Sequence, residues 1–327
     1  MTKPVVSVLM AVYNAEAFLT KALDSLLVDQ QLTEVEVLAV DDASTDGSLA
    51  LLQQRAAADA RLHVFCQTEN RGQAVCRNLA LQHARGEYVC MVDADDWLSP
   101  DALQSAVDVF AAHPQTDCVL FRLVSHWQEE GREEAYPTEW ADQDQPMTGS
   151  EAFCLSLGWR IHGLYLVRRE LHQRYPYDDR LRLFSDDNTC HLHYLRSREV
   201  RLCRGTYYYR RHCDSATMGF SAQRFLHMQA NLLLRQTLQE EGVSSRILKE
   251  YDRRRWDVYR GLLWLWFARR AQLNKEERAR VSELFRSIYP SFSRLQPYGL
   301  FLADQFVRWR IRSLLKTKSN SRPDEYQ

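Results

Sequence analysis

The chain has 327 residues, 45% hydrophobic and 26% charged, enough to bury one large or two smaller cores. Its net charge of −1 conceals an acidic first half (residues 1–150, a balance of −15) and a basic second half (residues 151–327, +14). No run approaches the roughly 18 apolar residues of a spanning helix, Met1-Thr2-Lys3-Pro4 opens no signal-peptide pattern, and the eight cysteines include no C-x-x-C pair. A cytosolic chain with reduced cysteines is expected, neither disulfide-stapled nor zinc-built, and no nucleic-acid partner.

Val5–Val12 is a near-continuous apolar run of strand length. Behind it Phe18, Leu19, Ala22, Leu23, Leu26 and Leu27 recur at helical spacing, with Asn14 read as the helix N-cap. Val35–Val40 predicts a strand, Ser48–Ala58 a helix, Leu62–Cys66 a strand, Gln73–Ala84 a helix and Tyr88–Val92 a strand. Ser99 and Pro100 read as the N-cap and first residue of a helix to about Ala112, and Asp117–Val124 as a further strand. This alternation predicts an α/β fold with a doubly wound, mainly parallel, Rossmann-like sheet and right-handed crossovers. Gln128–Gly149, acidic and carrying Pro137 and Pro146, is expected to be a surface excursion. From Ser221 the pattern is helical, ending in a polar tail at Lys316–Gln327, so a domain over residues 1–220 and a helical region over 221–327 are expected.

Two of these strands end in acids: Asp41-Asp42-Ala43-Ser44-Thr45-Asp46 follows Val35–Val40, and Asp93-Ala94-Asp95-Asp96 follows Tyr88–Val92. In open α/β sheets the carboxyl edge of the strands is where ligands sit. Carboxylates crowded there are costly unless something cationic or hydrogen-bonding lies among them. A divalent metal carrying a nucleotide diphosphate meets that requirement. A third pair, Asp186-Asp187, opens a helical pattern over Thr189–Tyr194. Trp159, Arg160 and His162 are read as lining an acceptor side.

Together, Val6–Asn14, Val40–Ser48, Asn70-Arg71-Gly72 with Arg77-Asn78, and Val92–Asp96 resemble the family 2 glycosyltransferases, which have the GT-A fold. The likeness is strong over residues 5–121, weaker over 150–218 and absent beyond about 221; Ala11 stands where a proline is usual. The resemblance implies metal-dependent, inverting transfer from a nucleotide-sugar, a UDP-sugar first, to a hydroxyl of a glycan or lipid-linked acceptor of a bacterial surface polysaccharide. It places Ala11, Tyr13 and Asn14 against the donor and gives the base's imide N–H to Asp42 or Asp41. Arg77 falls near the nucleotide, and Arg210 and His212 near the diphosphate. Asp95 is implied as ligand to Mn²⁺ or Mg²⁺, with Asp93 beside it as second ligand or at the sugar hydroxyls; Asp96 either assists or solvates the loop. Asp187 is the expected general base, with Asp186 orienting it or touching the acceptor.

Two other classes share strand-end acids. A nucleotidyltransferase should show a Gly/Lys-rich phosphate loop near the first strand, and Met10–Ala17 has none. A catalytically silent nucleotide-sugar-binding protein would lack the late acid pair. Gln305-Phe306-Val307-Arg308-Trp309 matches the Q-x-x-R-W of processive synthases, but lies more than a hundred residues past Asp187 and is read as coincidence, so transfer is expected to be non-processive. Trp256, Tyr259, Leu263, Trp264, Trp266 and Phe267, and the basic aromatic stretch 294–318, suit either a helix at the inner face of the cytoplasmic membrane or helices packed on their own domain, with a homo-oligomer also open.

Overall fold

The computed structural model describes residues 3–137, 145–212 and 220–295. Backbone contacts divide the chain into two compact units, Met1–Met218 and Gly219–Gln327.

The first unit runs β1 (Val6–Val12), α1 (Glu16–Leu27), β2 (Val35–Asp41), α2 (Ser48–Ala58), β3 (Leu62–Cys66), α3 (Gln73–His83), β4 (Tyr88–Met91), β5 (Trp97–Leu98), α4 (Ala102–Ala112), β6 (Thr116–Trp127), β7 (Arg132–Ala135), β8 (Met147–Thr148), α5 (Gly149–Leu157), β9 (Tyr165–Arg168), α6 (Arg169–Arg174), α7 (Ser185–Arg196) and β10 (Glu199–Arg211). Its sheet has the order β3-β2-β1-β4-β9-β6-β10-β5, with β7 on β6 and β8 on β10. β3, β2, β1 and β4 are mutually parallel, as are β6 and β10; β9 lies antiparallel between β4 and β6.

The apolar runs are unbroken because both faces of the sheet are covered. Along β1 and β2, Val8, Met10, Val12, Val37 and Ala39 enter one core with Leu19, Leu23, Leu52 and Leu103 from α1, α2 and α4. The alternate residues Leu9, Leu38 and Val40 enter the other, with Cys76, Ala80, Ala152 and Tyr194 from α3, α5 and α7. A bulge interrupts the β6–β10 register between Leu202 and Thr206. Gly205 sits there because a Cβ would lie 2.3 Å from the Ala102 Cα of α4. The bulge re-aims the second half of β10 toward the loop after β4.

Three local expectations change. Asn14 does not cap α1: it has φ 50°, and its Oδ1 accepts from the Thr45 N–H at 2.8 Å, so the side chain staples two strand-end loops instead. Ser99 and Pro100 precede α4 without starting it, because the Ser99 Oγ accepts from the Thr206 N–H and donates to Asp101. The stretch after β6 is not wholly irregular: β7 returns as a hairpin, while residues 138–144 lie outside the described part.

The second unit holds α8 (His227–Glu240), α9 (Ser245–Arg269) and α10 (Lys275–Ile288). Trp256, Tyr259, Leu263 and Trp266 form one buried stripe of α9, packed with Val281, Phe285 and Ile288 of α10 and with Phe225. Their bulk thus serves the unit's own core, whereas Trp264 is 60% exposed. No described helix is long and apolar enough to cross a membrane. The basic stretch beyond residue 295, with Gln305, Arg308 and Trp309, lies outside the described residues, as do Asp214, Ser215 and Thr217.

Candidate active site

Strand-end loops and the openings of α3 and α7 assemble the site. After β2, both Asp42 oxygens accept backbone N–H groups, from Arg71 and Gly72 at 2.8 Å each. This anchors the turn into α3, where Gly72 takes φ +90°, a left-handed conformation suited to glycine. Asp41 is also buried; its Oδ2 accepts from the Ser44 N–H at 3.1 Å, while its Oδ1 has no partner among the described residues. Ala11 is half-buried on β1 opposite Val40, and Tyr13, just beyond, is 49% exposed.

The three acids after β4 have different surroundings. Asp96 is buried, with the Tyr207 hydroxyl (2.8 Å) and the Arg210 N–H (2.8 Å) on its two oxygens, so it builds the loop and neither solvates it nor faces outward. Burial, then the charges of Asp93 and Asp95, holds its carboxyl well above the usual range. Asp95 is raised by the same two causes, burial first and then Asp93, against the opposing contact of His212 Nε2 at 3.2 Å. One oxygen from each of Asp93, Asp95 and Asp96 lies within 4.8 Å of the others. With Asp96 engaged by Tyr207 and Arg210, Asp93 and Asp95 are the pair suited to Mn²⁺ or Mg²⁺: hard oxygen donors whose crowding a cation would relieve.

Arg77 on α3 ties this loop to the late acid pair. Its side chain is 2% exposed, donates to Asp93 Oδ1 at 2.5 Å, and approaches Asp186 at 3.9 Å over the Tyr177 ring. Burial works against its charge, but Asp93, with Tyr177 and Asp186, outweighs burial and raises its pKa. The guanidinium is therefore an internal bridge between carboxylates and not a surface group. Asp187 follows at the opening of α7, half-buried, with no hydrogen-bond partner among the described residues; burial first and the Asp186 charge second push its carboxyl well above the usual range.

On β10, the Arg210 guanidinium sits between the Phe18 and Trp97 rings (5.2 and 4.6 Å) and donates to the Asp95 carbonyl and Gln128, which commits it to the loop. His212 packs on Phe18 at 4.6 Å, beside Asp95. His162 is corrected from an acceptor-lining residue to an interior one: it is 3% exposed, its Nδ1 accepts from the Leu164 N–H, and burial pushes its pKa down to about 4. Trp159 is 47% exposed at φ 55°, its carbonyl held by the Tyr136 hydroxyl. Sequence reasoning assigned no role to Tyr207 or to Tyr177, which Asn78 clamps through its side-chain amide. Alternation across Tyr207-Tyr208-Tyr209 carried a signal for the first, since Tyr207 and Tyr209 share one face.

A profile described as Glycosyl transferase family 2 matches residues 7–175. The teichuronic acid biosynthesis glycosyltransferase TuaG of Bacillus subtilis (strain 168) is 42% identical over 106 residues, 32% of this chain and 42% of TuaG. The chain covers only 41–43% of the length of three such curated relatives, TuaG among them. Among solved structures, S. aureus TarS 1–349 in complex with UDP-GlcNAc superposes with a TM-score of 0.70 at 19% identity, covering 98% of this chain and 93% of that one. The mannosyltransferase PcManGT of Pyrobaculum calidifontis, in complex with GDP-Man and Mn²⁺, gives 0.56 at 19%, covering 98% and 89%. These likenesses establish the α/β, GT-A architecture.

Proposed function

Because the chain belongs to glycosyl transferase family 2, we propose that it transfers a sugar from a nucleotide-sugar, a UDP-sugar first, to a hydroxyl of a glycan or lipid-linked acceptor, with inversion and without processivity. The observation that carries this reading is the single connected set of carboxylates: Arg77 joins the loop after β4 to the acid pair that opens α7. The UDP-GlcNAc bound to TarS supports the donor class, and the Mn²⁺ bound to PcManGT supports a divalent ion.

Asp41 and Asp42 form the floor for the nucleoside; Asp41 Oδ1 is the acceptor still unmatched there, and a base imide N–H would fill it. Tyr13, exposed at the lip of β1, offers its ring to the base. Bound at Asp95 and Asp93, Mn²⁺ or Mg²⁺ would act as a Lewis acid and offset charge developing on the leaving diphosphate. His212, beside Asp95, is placed for the same diphosphate. Asp187 takes the acceptor proton as the hydroxyl attacks; its raised basicity suits the task. One base, with no obvious second nucleophile placed opposite it among the described residues, is consistent with single displacement. Residues 1–220 would then be the catalytic domain and 221–327 an accessory helical region.

A thermal-shift panel of UDP-, GDP- and dTDP-sugars tests the donor and metal together. At about a hundred times Kd, a UDP-sugar with Mn²⁺ should raise Tm by about 5–10 °C, and Asp95→Asn should remove the Mn²⁺-dependent part. A flat response to every nucleotide-sugar, with and without metal, would refute the proposal. Release of free sugar or product separates an enzyme from a silent binding protein.

Trp159 presents an exposed ring on a positive-φ backbone, a strained arrangement of the kind that collects at functional sites. It is proposed as a platform for an acceptor sugar. Trp159→Ala should raise the acceptor KM by about tenfold, equivalent to the ~1.4 kcal/mol of one lost aromatic contact, and leave the donor KM unchanged. An unaltered acceptor KM would remove Trp159 from the site.

A further inference from the structure

His172, on α6, is 2% exposed, and neither of its ring nitrogens has a hydrogen-bond partner among the described residues. Its neighbour His193 shows what a satisfied imidazole looks like in this core. The Tyr165 hydroxyl donates to its Nδ1 at 2.7 Å and its Nε2 donates to the Tyr175 carbonyl at 2.9 Å. The two histidine rings meet edge-on at 4.6 Å, and Tyr177 packs on His172 at 5.0 Å. Burial, then His193 and Arg77, keeps His172 neutral, with one N–H to donate and one lone pair to fill.

A narrow cavity touches this ring. Its walls include His172, Tyr177, Gly163 and Asp186, and about 10 Å³ is open to the centre of a water-sized sphere, which is room for one water. Asp186 is open on this side as well: its side chain is 37% exposed, among the described residues its carboxylate accepts no direct hydrogen bond, and Arg77 stands at 3.9 Å. The unpaired nitrogens of His172 and the open Asp186 carboxylate therefore border one small cavity at the back of the acid pair, whose other walls, Val89, Met91 and Val167 among them, are mostly apolar.

We propose that the cavity holds one bound water passing a hydrogen bond between His172 and the Asp186 carboxylate, which makes His172 a positioning residue for the acid pair that opens α7. The kinetic consequence rests on the glycosyl-transfer reading; the water site does not. Fixing Asp186 fixes the first turn of α7, and with it the direction of the Asp187 carboxylate. His172 itself touches no substrate.

His172→Phe keeps the ring and its packing and removes both nitrogens. In the full-length protein it should lower kcat by about 10- to 100-fold, with the donor KM and Tm unchanged, and His172→Asn or His172→Gln, which returns an amide, should recover most of the loss. A His172→Phe enzyme with wild-type kcat would overturn the proposal, and so would failure of both amide variants to recover activity, since the loss would then be one of packing. A high-resolution crystal structure of the wild-type chain decides the site without any assay. Density for a water within about 3.2 Å of both a His172 nitrogen and an Asp186 oxygen supports it, and a dry cavity overturns it even if transfer is confirmed. Conversely, absence of transfer with the water in place defeats only the functional reading.

Discussion

Asp187→Asn is expected to lower kcat by about a thousandfold, within the 10²–10⁴ range for loss of a positioned general base, while the affinity for UDP-sugar and metal changes by less than about threefold. Asn matches Asp in size and removes the site that accepts the proton, so a loss confined to kcat isolates proton transfer from binding. The pH profile provides a second reading. Burial and the Asp186 charge raise the folded-state pKa of Asp187, so kcat/KM should climb as pH rises through a value above the ordinary carboxylate range, and this acid limb should vanish in the variant. Stability should move the other way. A carboxyl whose pKa is raised on folding stabilises the fold when protonated, and that contribution is lost as pH rises through the folded value. At neutral pH the native enzyme therefore holds an unfavourable charge that Asn removes, and Asp187→Asn should melt at or above the wild-type temperature. Near-normal turnover in a well-folded Asp187→Asn protein would end the assignment, and reduced melting with retained pH dependence would mark Asp187 as structural.

How far the site could be read in advance depended on whether its cause was local. The strands β1 and β2 are legible because burial on both faces leaves unbroken apolar runs, and the acids that follow β2 and β4 stand out against that background. The return strand β9 has no comparable signal: four residues, Tyr165–Arg168, take their place antiparallel between β4 and β6 through pairings remote in sequence. The acids divide in the same way. Nothing local distinguishes Asp96 from Asp93 and Asp95, and its structural role comes from Tyr207, 111 residues away. Asn14 has the composition of a helix cap, but its left-handed backbone turns the side chain to a loop 31 residues on. His162 is polar and three residues from an exposed tryptophan, yet it folds beneath the surface, where its Nδ1 accepts from the Leu164 N–H of its own turn.

Arg77 is the strongest case of a role set by distant partners, and its replacement should have the other large effect. Arg77→Met keeps much of the side chain's volume but leaves Asp93 and Asp186 without their shared cation. Breaking a buried ion pair by removing one partner costs about 3–5 kcal/mol. The low end applies here, because the side chains of Asp93 and Asp186 remain 28% and 37% exposed and solvent screens part of the loss. About 3 kcal/mol should lower Tm by about 6–12 °C. Arg77→Lys separates charge from geometry. An ammonium restores a cation but not the planar fork that reaches Asp93 and Asp186 together over the Tyr177 ring. It should recover most of the stability and little of kcat, because one end of the bridge stays unheld and the acids after β4 and at the start of α7 lose their common register. Added Mn²⁺ should stabilise Arg77→Met more than wild type, since the ion then meets a carboxylate pair that no internal cation offsets. If Arg77→Lys restores kcat fully, charge alone suffices and the bridge between the two acidic loops is not what aligns them.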